Sequence, residues 1–451
     1  MRNRFPAALA LLFATPAFAA TYYIAPPPAG NNANPGTLAQ PWATLQRAAP
    51  VLDPGDIVYV RAGTYAGGHF TRSGTPAQPI LLAAFPGEEP VINANNPVTI
   101  DGINLEGASH MIVEGFTVTG TGRAGIRAVL CQNVVIRHNR ADLNHRWGIF
   151  TGFCDDLLIE HNETSRSTVE HGIYVSNSGD RPVIRNNLIW GNHANGIHMN
   201  GDISQGGDGI ISDALVENNI IFGNGVGGGS GINCDGVQDS LIRNNLIFDS
   251  HASGISLYTI DGGGPSSGNR VLNNTVLTSA TGRWALNIRD GAVNNTVRNN
   301  ILWSYHPSFR GSLSITADSL PGFSSERNAV MNRFSTDGGG SNMTLAAWRT
   351  ATGHDQHSFV TTPAALFLDV DDDDFHLAAD SPALDAGETR GDVPRDLEAR
   401  GRRGPRTISV PMNSPPWTGC SGTASSPEGR QDLRALHMPC RSGECRSESP
   451  G

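Results

Sequence analysis

The sequence predicts an all-β fold, a single-stranded solenoid whose short strands wind into stacked parallel coils. Two repeating signals and the composition carry this reading. A Gly-Ile pair opens a strand at Gly125, Gly148, Gly172, Gly196, Gly231 and Gly254, and an asparagine closes another at Asn139, Asn162, Asn187, Asn219, Asn245, Asn274 and Asn300. Spacings run from 23 to 35 residues, mostly 23 to 26, the period of a repeat architecture in which single coils carry insertions. Charged residues make up 16% of the 451 and glycines number 53, so the stretch lacks the Ala, Leu, Glu and Lys that helical repeats would need.

The elements follow in order. Arg2 and Arg4, an apolar run over 7–13 and the small residues Ala17 and Ala19 predict a secretory signal peptide over 1–19, hence a secreted or periplasmic protein. No later run reaches eighteen apolar residues, so no membrane span is expected. Residues 20–90 are expected to form an N-terminal cap and first coil. Trp42, Leu45 and Ala49 share one face of a short helix that would cover the open end of the solenoid. The turn Asp53-Pro54-Gly55-Asp56 precedes the strand that begins at Ile57.

Residues 91–330 hold the repeats, with strands expected around 112–113, 134–137, 157–160, 183–185, 215–217, 241–243, 271–272 and 297–298. Asparagines stacked every ~4.8 Å can bond to one another and to turn backbone, so the asparagine series reads as a structural ladder rather than a site. Two coils are stretched by Gly-rich insertions, GDISQGGDGIISD (201–213) and DGGGPSSGN (261–269), the kind of loop that walls a binding groove. Cys131 and Cys154 occupy equivalent positions of consecutive coils, within disulfide reach of each other. Residues 331–412 are expected to pack on the helix, and 413–451, with Cys420, Cys440 and Cys445, to form a disordered tail.

A formal net charge of −10 argues against nucleic acid as a partner. Every basic residue is arginine; the chain has no lysine.

The opening YYIAPPPAGNNANPGTLAQPWATLQRAAPVLDPGDIVYVRAGTY, the following SGTPAQPILLAAFPGEEPVI and the later DFHLAADSPALDAG resemble secreted right-handed parallel β-helix proteins of the pectate-lyase-like superfamily, pectate and alginate lyases above all. The resemblance covers about residues 21–390. It implies a right-handed parallel β-helix acting on an acidic polysaccharide, with lysine or arginine as the usual base and calcium as a frequent neutraliser of the uronate carboxylate.

Strand parity locates a site. If each Ile after Gly points inward, Arg127, Phe150, Tyr174, His198, Asn233, Ser256 and Asn287 point outward in one column, and Ser176, Asn200, Asp235, Tyr258 and Arg289 in the next. The flanking turns add His145, Arg146, Glu170, His171, His193, Asn195 and His251. Such a face suits sugar stacking and proton transfer. With no lysine, and arginine too basic, histidine is the expected base: His198 first, His171 second. Tyr174 or Tyr258 would be the acid and Arg146 the neutraliser, with Arg127, Asn200, Asn233, His193, Asn195 and Arg289 holding substrate.

Asn200, Asp202, Asp208 and Asp235 are the candidate calcium ligands, although Gly-Asp and Asp-Gly pairs are also ordinary turns. The chain is expected to act as a monomer. Alternatives on the same fold are a uronate C5-epimerase, a non-catalytic carbohydrate-binding solenoid and a glycoside hydrolase using the adjacent Asp155 and Asp156.

Overall fold

A computed structural model describes residues 19–393. The proposed signal peptide before residue 19 and the tail beyond 393, including its three cysteines, lie outside the described residues. Three parallel sheets, of 12, 12 and 11 strands, wrap one core into a right-handed parallel β-helix. Each coil visits them in turn, as in Met111–Glu114 of the first sheet, Thr117–Thr119 of the second and Ala124–Gln132 of the third.

Coils begin before residue 91: Ile57–Val60, Gly63–Ala66 and Gly68–Phe70 already supply one strand to each sheet. This is the first coil expected within 20–90, beginning at Ile57, and it forms without the Gly-Ile and asparagine signals of the later repeats. Among the described residues, no helix is long and apolar enough to cross a membrane.

Parity is as expected. Ile126, Ile149, Ile173, Ile197, Ile232 and Ile255 are all buried in the core and stack in register along the third sheet. The glycines before them mark a close approach rather than an unusual φ. A Cβ on Gly196 would lie 2.6 Å from Ile221 Cγ2, and one on Gly231 2.6 Å from Ile247 Cγ2, both on the second sheet.

At the corner between the first and second sheets, the ladder runs from Asn139 through Asn162, Asn187, Asn219, Asn245, Asn274 and Asn300 to Asn328. From Asn162 onward each Oδ1 accepts from the backbone N–H and the Nδ2 of the asparagine one coil before, while Asn139 Oδ1 accepts from Phe116 N. The outer face of the first sheet carries a second ladder, Glu114, Arg137, Glu160, Arg185, Glu217 and Arg243, in register and paired in twos. Opposite charges on adjacent strands favour this register over a one-coil slip.

The N-terminal end is closed by the short helix Leu45–Ala48, with Trp42, Leu45 and Ala49 buried beneath it as expected. The other end is closed by the helix Leu345–Thr352, whose Trp348 is fully buried and donates to Asp355. The chain then returns as a strap. Leu366, Phe367, Phe375 and Ala383 bury Phe248, Leu277 and Ile301 on the outside of the second sheet. Cys131 and Cys154 form a disulfide between consecutive coils of the third sheet.

Candidate functional site

The third sheet presents one unbroken outward column. His69, Asn104, Arg127, Phe150, Tyr174, His198, Asn233, Ser256, Asn287 and Ser314 are register partners on ten successive strands. At ~4.8 Å per strand such a column extends over ~43 Å, enough to seat an extended glycan.

Aromatic rings dominate its middle. Trp147 stacks on Phe150 with centroids 4.5 Å apart, Phe150 meets Tyr174 edge-on at 5.4 Å, and Tyr174 lies flat on His198 at 4.8 Å. His171 stands edge-on to both Tyr174 and His198.

The hydrogen bonds around the two histidines fix their tautomers. Asn195 directs its backbone N–H and its Nδ2 at His171 Nδ1, each at 3.2 Å. Its own Oδ1 accepts from Ser230 N, which sets the amide orientation. His171 Nδ1 is therefore an acceptor and Nε2 carries the proton, which is donated to His198 Nδ1 at 3.1 Å. The proton of His198 consequently sits on Nε2, a buried atom with no hydrogen-bond partner among the described residues.

Burial pulls His198 down to about 3 and, with the neighbouring charge of His198, holds His171 well below the usual histidine range. Both rings are neutral near pH 7. This arrangement differs from the sequence expectation, because a base at His198 Nε2 needs a lone pair there and the pattern places an N–H.

Both tyrosine hydroxyls are accepting. Asn200 Nδ2 donates to Tyr174 OH at 3.2 Å, and Asn233 Nδ2 to Tyr258 OH at 2.7 Å, leaving each O–H proton free for another acceptor. Burial raises both pKa values; hydrogen bonds from Ser176 and Asn200 oppose this at Tyr174, while Asp235 adds to it at Tyr258.

The expected cations are tied up. Arg146 pairs with Glu170 at 3.1 Å, Arg127 with Glu106 at 2.9 Å and Arg289 with Asp290 at 3.2 Å, so Arg146 is not the free neutraliser expected of it. Glu170 also accepts from Trp147 Nε1 at 2.7 Å and lies 3.8 Å from His171 Nε2. Glu170, which the sequence reading placed in a turn flanking this face without a specific role, and Trp147, which it left out, thus touch the histidine pair and its aromatic platform; the position of Trp147 directly before Gly148 was the available signal. His193 is exposed and packs beside Gly227, away from the pair's hydrogen bonds.

The candidate calcium ligands do not converge. Asp235 is buried and its two oxygens accept the N–H groups of Ile260, Asp261 and Gly262, holding the 259–264 loop over the sheet. Asp202 accepts from Ser204 and Asp208 from Ile210 within their own turns. Among the described residues no group of three or more His, Cys, Asp or Glu could hold one metal ion. These residues do not fit a calcium site, and no step below runs through one. Asp156, half of the hydrolase pair, is bound to Arg181, and Asp155 accepts from Asp180 N.

A family model described as "Pel9A-like, right handed beta helix region" matches residues 22–256. Among solved structures, pectate lyase Pel9A is 17% identical, with 86% of this chain and 97% of that chain covered and a TM-score of 0.58. A rhamnogalacturonan lyase is 17% identical over 63% of this chain and 82% of its own, at a TM-score of 0.47. An alginate lyase from Paenibacillus sp. str. FPU-7 is 18% identical over 62% and 94%, also at 0.47. No curated protein matches the chain.

Proposed function

Because the chain belongs to the Pel9A-like right-handed β-helix family, we propose that it is an exported polysaccharide lyase, cleaving an acidic glycan by β-elimination on the outer face of the third sheet. The observation that carries this reading is the neutral His171–His198 pair, which presents a buried N–H without a partner among the described residues, beside Tyr174 at the centre of an aromatic face. A buried donor without an acceptor is costly, about 1–3 kcal/mol, and is expected where a ligand supplies the acceptor.

In β-elimination a base removes the proton at C5, the freed electron pair forms the C4–C5 double bond, and the C4–O bond breaks onto an oxygen that takes up a proton. Negative charge builds on the uronate carboxyl during the first step. His198 Nε2–H stabilises that charge as a neutral donor that needs no reorganisation. Glu170 takes the C5 proton: it is a partly exposed carboxylate touching the histidine pair. Tyr174, its oxygen held by Asn200, gives its proton to the leaving oxygen.

The test is a panel of polygalacturonate, alginate and glycosaminoglycan, with and without chelator, read as near-ultraviolet absorbance of the unsaturated product. Glu170→Gln should lower kcat by about 10² or more, and His198→Gln by about 10². Native protein silent on every substrate would overturn the lyase reading, and Glu170→Gln at native rate would overturn the base.

A further inference from the structure

Charge around His198 is unevenly compensated. In the turns that flank its strand and the two strands on either side, Arg146, Arg166 and Arg181 are each ion-paired, to Glu170, Asp142 and Asp156. Asp202, Asp235 and Asp261 form no ion pair among the described residues. Asp202 accepts from Ser204 N and Oγ within its own turn, Asp235 accepts three backbone N–H groups, and Asp261 accepts a 3.4 Å bond from Asn200 Nδ2.

These three residues are tied to one place. Asp202 N donates to Asn200 Oδ1 at 3.2 Å, Ile203 N to Asp261 O at 2.9 Å and Asp261 N to Asp235 Oδ2 at 3.0 Å. Asn200 lies two residues beyond His198 on the strand Ile197–Asn200, ~7 Å along the same outward side. Burial raises the pKa of both platform phenols; the negative charge of Asp202 adds to this at Tyr174, and that of Asp235 and Asp261 at Tyr258. A carboxylate seated beside Asn233, one strand step or ~4.8 Å from His198, would face this charge with no unpaired guanidinium to meet it. What this position offers is the Tyr258 hydroxyl, whose proton is available because Asn233 Nδ2 holds its oxygen at 2.7 Å, and Asp261 as an acceptor. A donor and an acceptor together suit a sugar hydroxyl or acetamido group.

We infer that the substrate alternates: the uronate that reacts beside His198 is followed, on the Asn233 side, by a sugar without negative charge. The protein thus takes a glycan whose uronates are separated by neutral or N-acetylated sugars and discriminates against a homopolymer of uronates. The place of the reacting uronate rests on the lyase reading, whereas the penalty on a second carboxylate does not.

The test is calorimetric binding at low ionic strength to the full-length protein carrying Tyr174→Phe, which keeps every charge and lacks the proposed acid. A tetrasaccharide of the rhamnogalacturonan backbone or of hyaluronan, in which uronates alternate with uncharged sugars, should bind about tenfold or more tighter than tetragalacturonate. Adding Asp202→Asn and Asp261→Asn should tighten tetragalacturonate by about fivefold, a gain that shrinks as salt is raised. Tetragalacturonate bound as tightly as both alternating glycans, or unmoved by the two substitutions, overturns the inference. Turnover by the native protein separates the two readings. Faster product from polygalacturonate than from either alternating glycan overturns the inference and leaves the lyase; the expected binding preference with no unsaturated product from any glycan overturns the lyase and leaves the inference. Absence of binding to all three overturns both.

Discussion

Replacing Asn219 with alanine probes the ladder that sets coil spacing. Asn219 is fully buried; its Oδ1 accepts from Asn187 N and Asn187 Nδ2, both at 3.0 Å, and its Nδ2 donates to Ile184 O at 2.9 Å and Asn245 Oδ1 at 3.0 Å. Alanine leaves both Asn187 donors without an acceptor in a site closed to solvent. At about 1–3 kcal/mol for each orphaned donor, the expected loss is about 2–6 kcal/mol. Guanidinium unfolding followed by circular dichroism should show a lower midpoint with an unchanged m-value. The exposed Gln205→Ala should stay within about 0.5 kcal/mol of native. A loss below about 1 kcal/mol for Asn219→Ala would refute the view that stacked amides hold the coils together.

Three further outcomes are expected. The low folded-state pKa of His198, about 3, means that the unfolded chain binds more protons once pH falls below ~6.5, so stability is lost from there down toward pH 3. His198→Gln should flatten that slope by up to ~1.4 kcal/mol per pH unit, measured as denaturant midpoints across pH. Removing the disulfide with Cys131→Ser and Cys154→Ser frees a loop with a sequence separation of 23, and should cost about 3 kcal/mol by the same measurement. Arg185→Glu would set three glutamates in a row on the first sheet, because Glu160 and Glu217 flank it in register; a loss of about 1–2 kcal/mol that shrinks in high salt is expected.

Much of this was legible because a parallel solenoid writes its geometry into spacing. The Gly-Ile register separated inward from outward residues correctly, and equivalent positions paired Cys131 with Cys154. Depth was not legible. Asn200 and Asp235 point outward yet are buried, since the insertion at 261–269 folds back onto them. Parity gives a side chain's direction but not what lies above it.

Charge compensation was equally hidden. Arg146 looked like a free cation until a turn one coil later placed Glu170 against it. The tautomers of the histidine pair depend on a backbone N–H of Asn195, which no residue identity records.

The most direct measurement is a crystal structure of Glu170→Gln soaked with an oligouronate that the native protein cleaves. Sugar rings should lie along the column from Phe150 to Asn233, with a carboxylate oxygen within hydrogen-bond distance of His198 Nε2. A chain bound on another sheet, or a His198 Nε2 still without an acceptor beneath bound sugar, would contradict the placement of the reaction on this face.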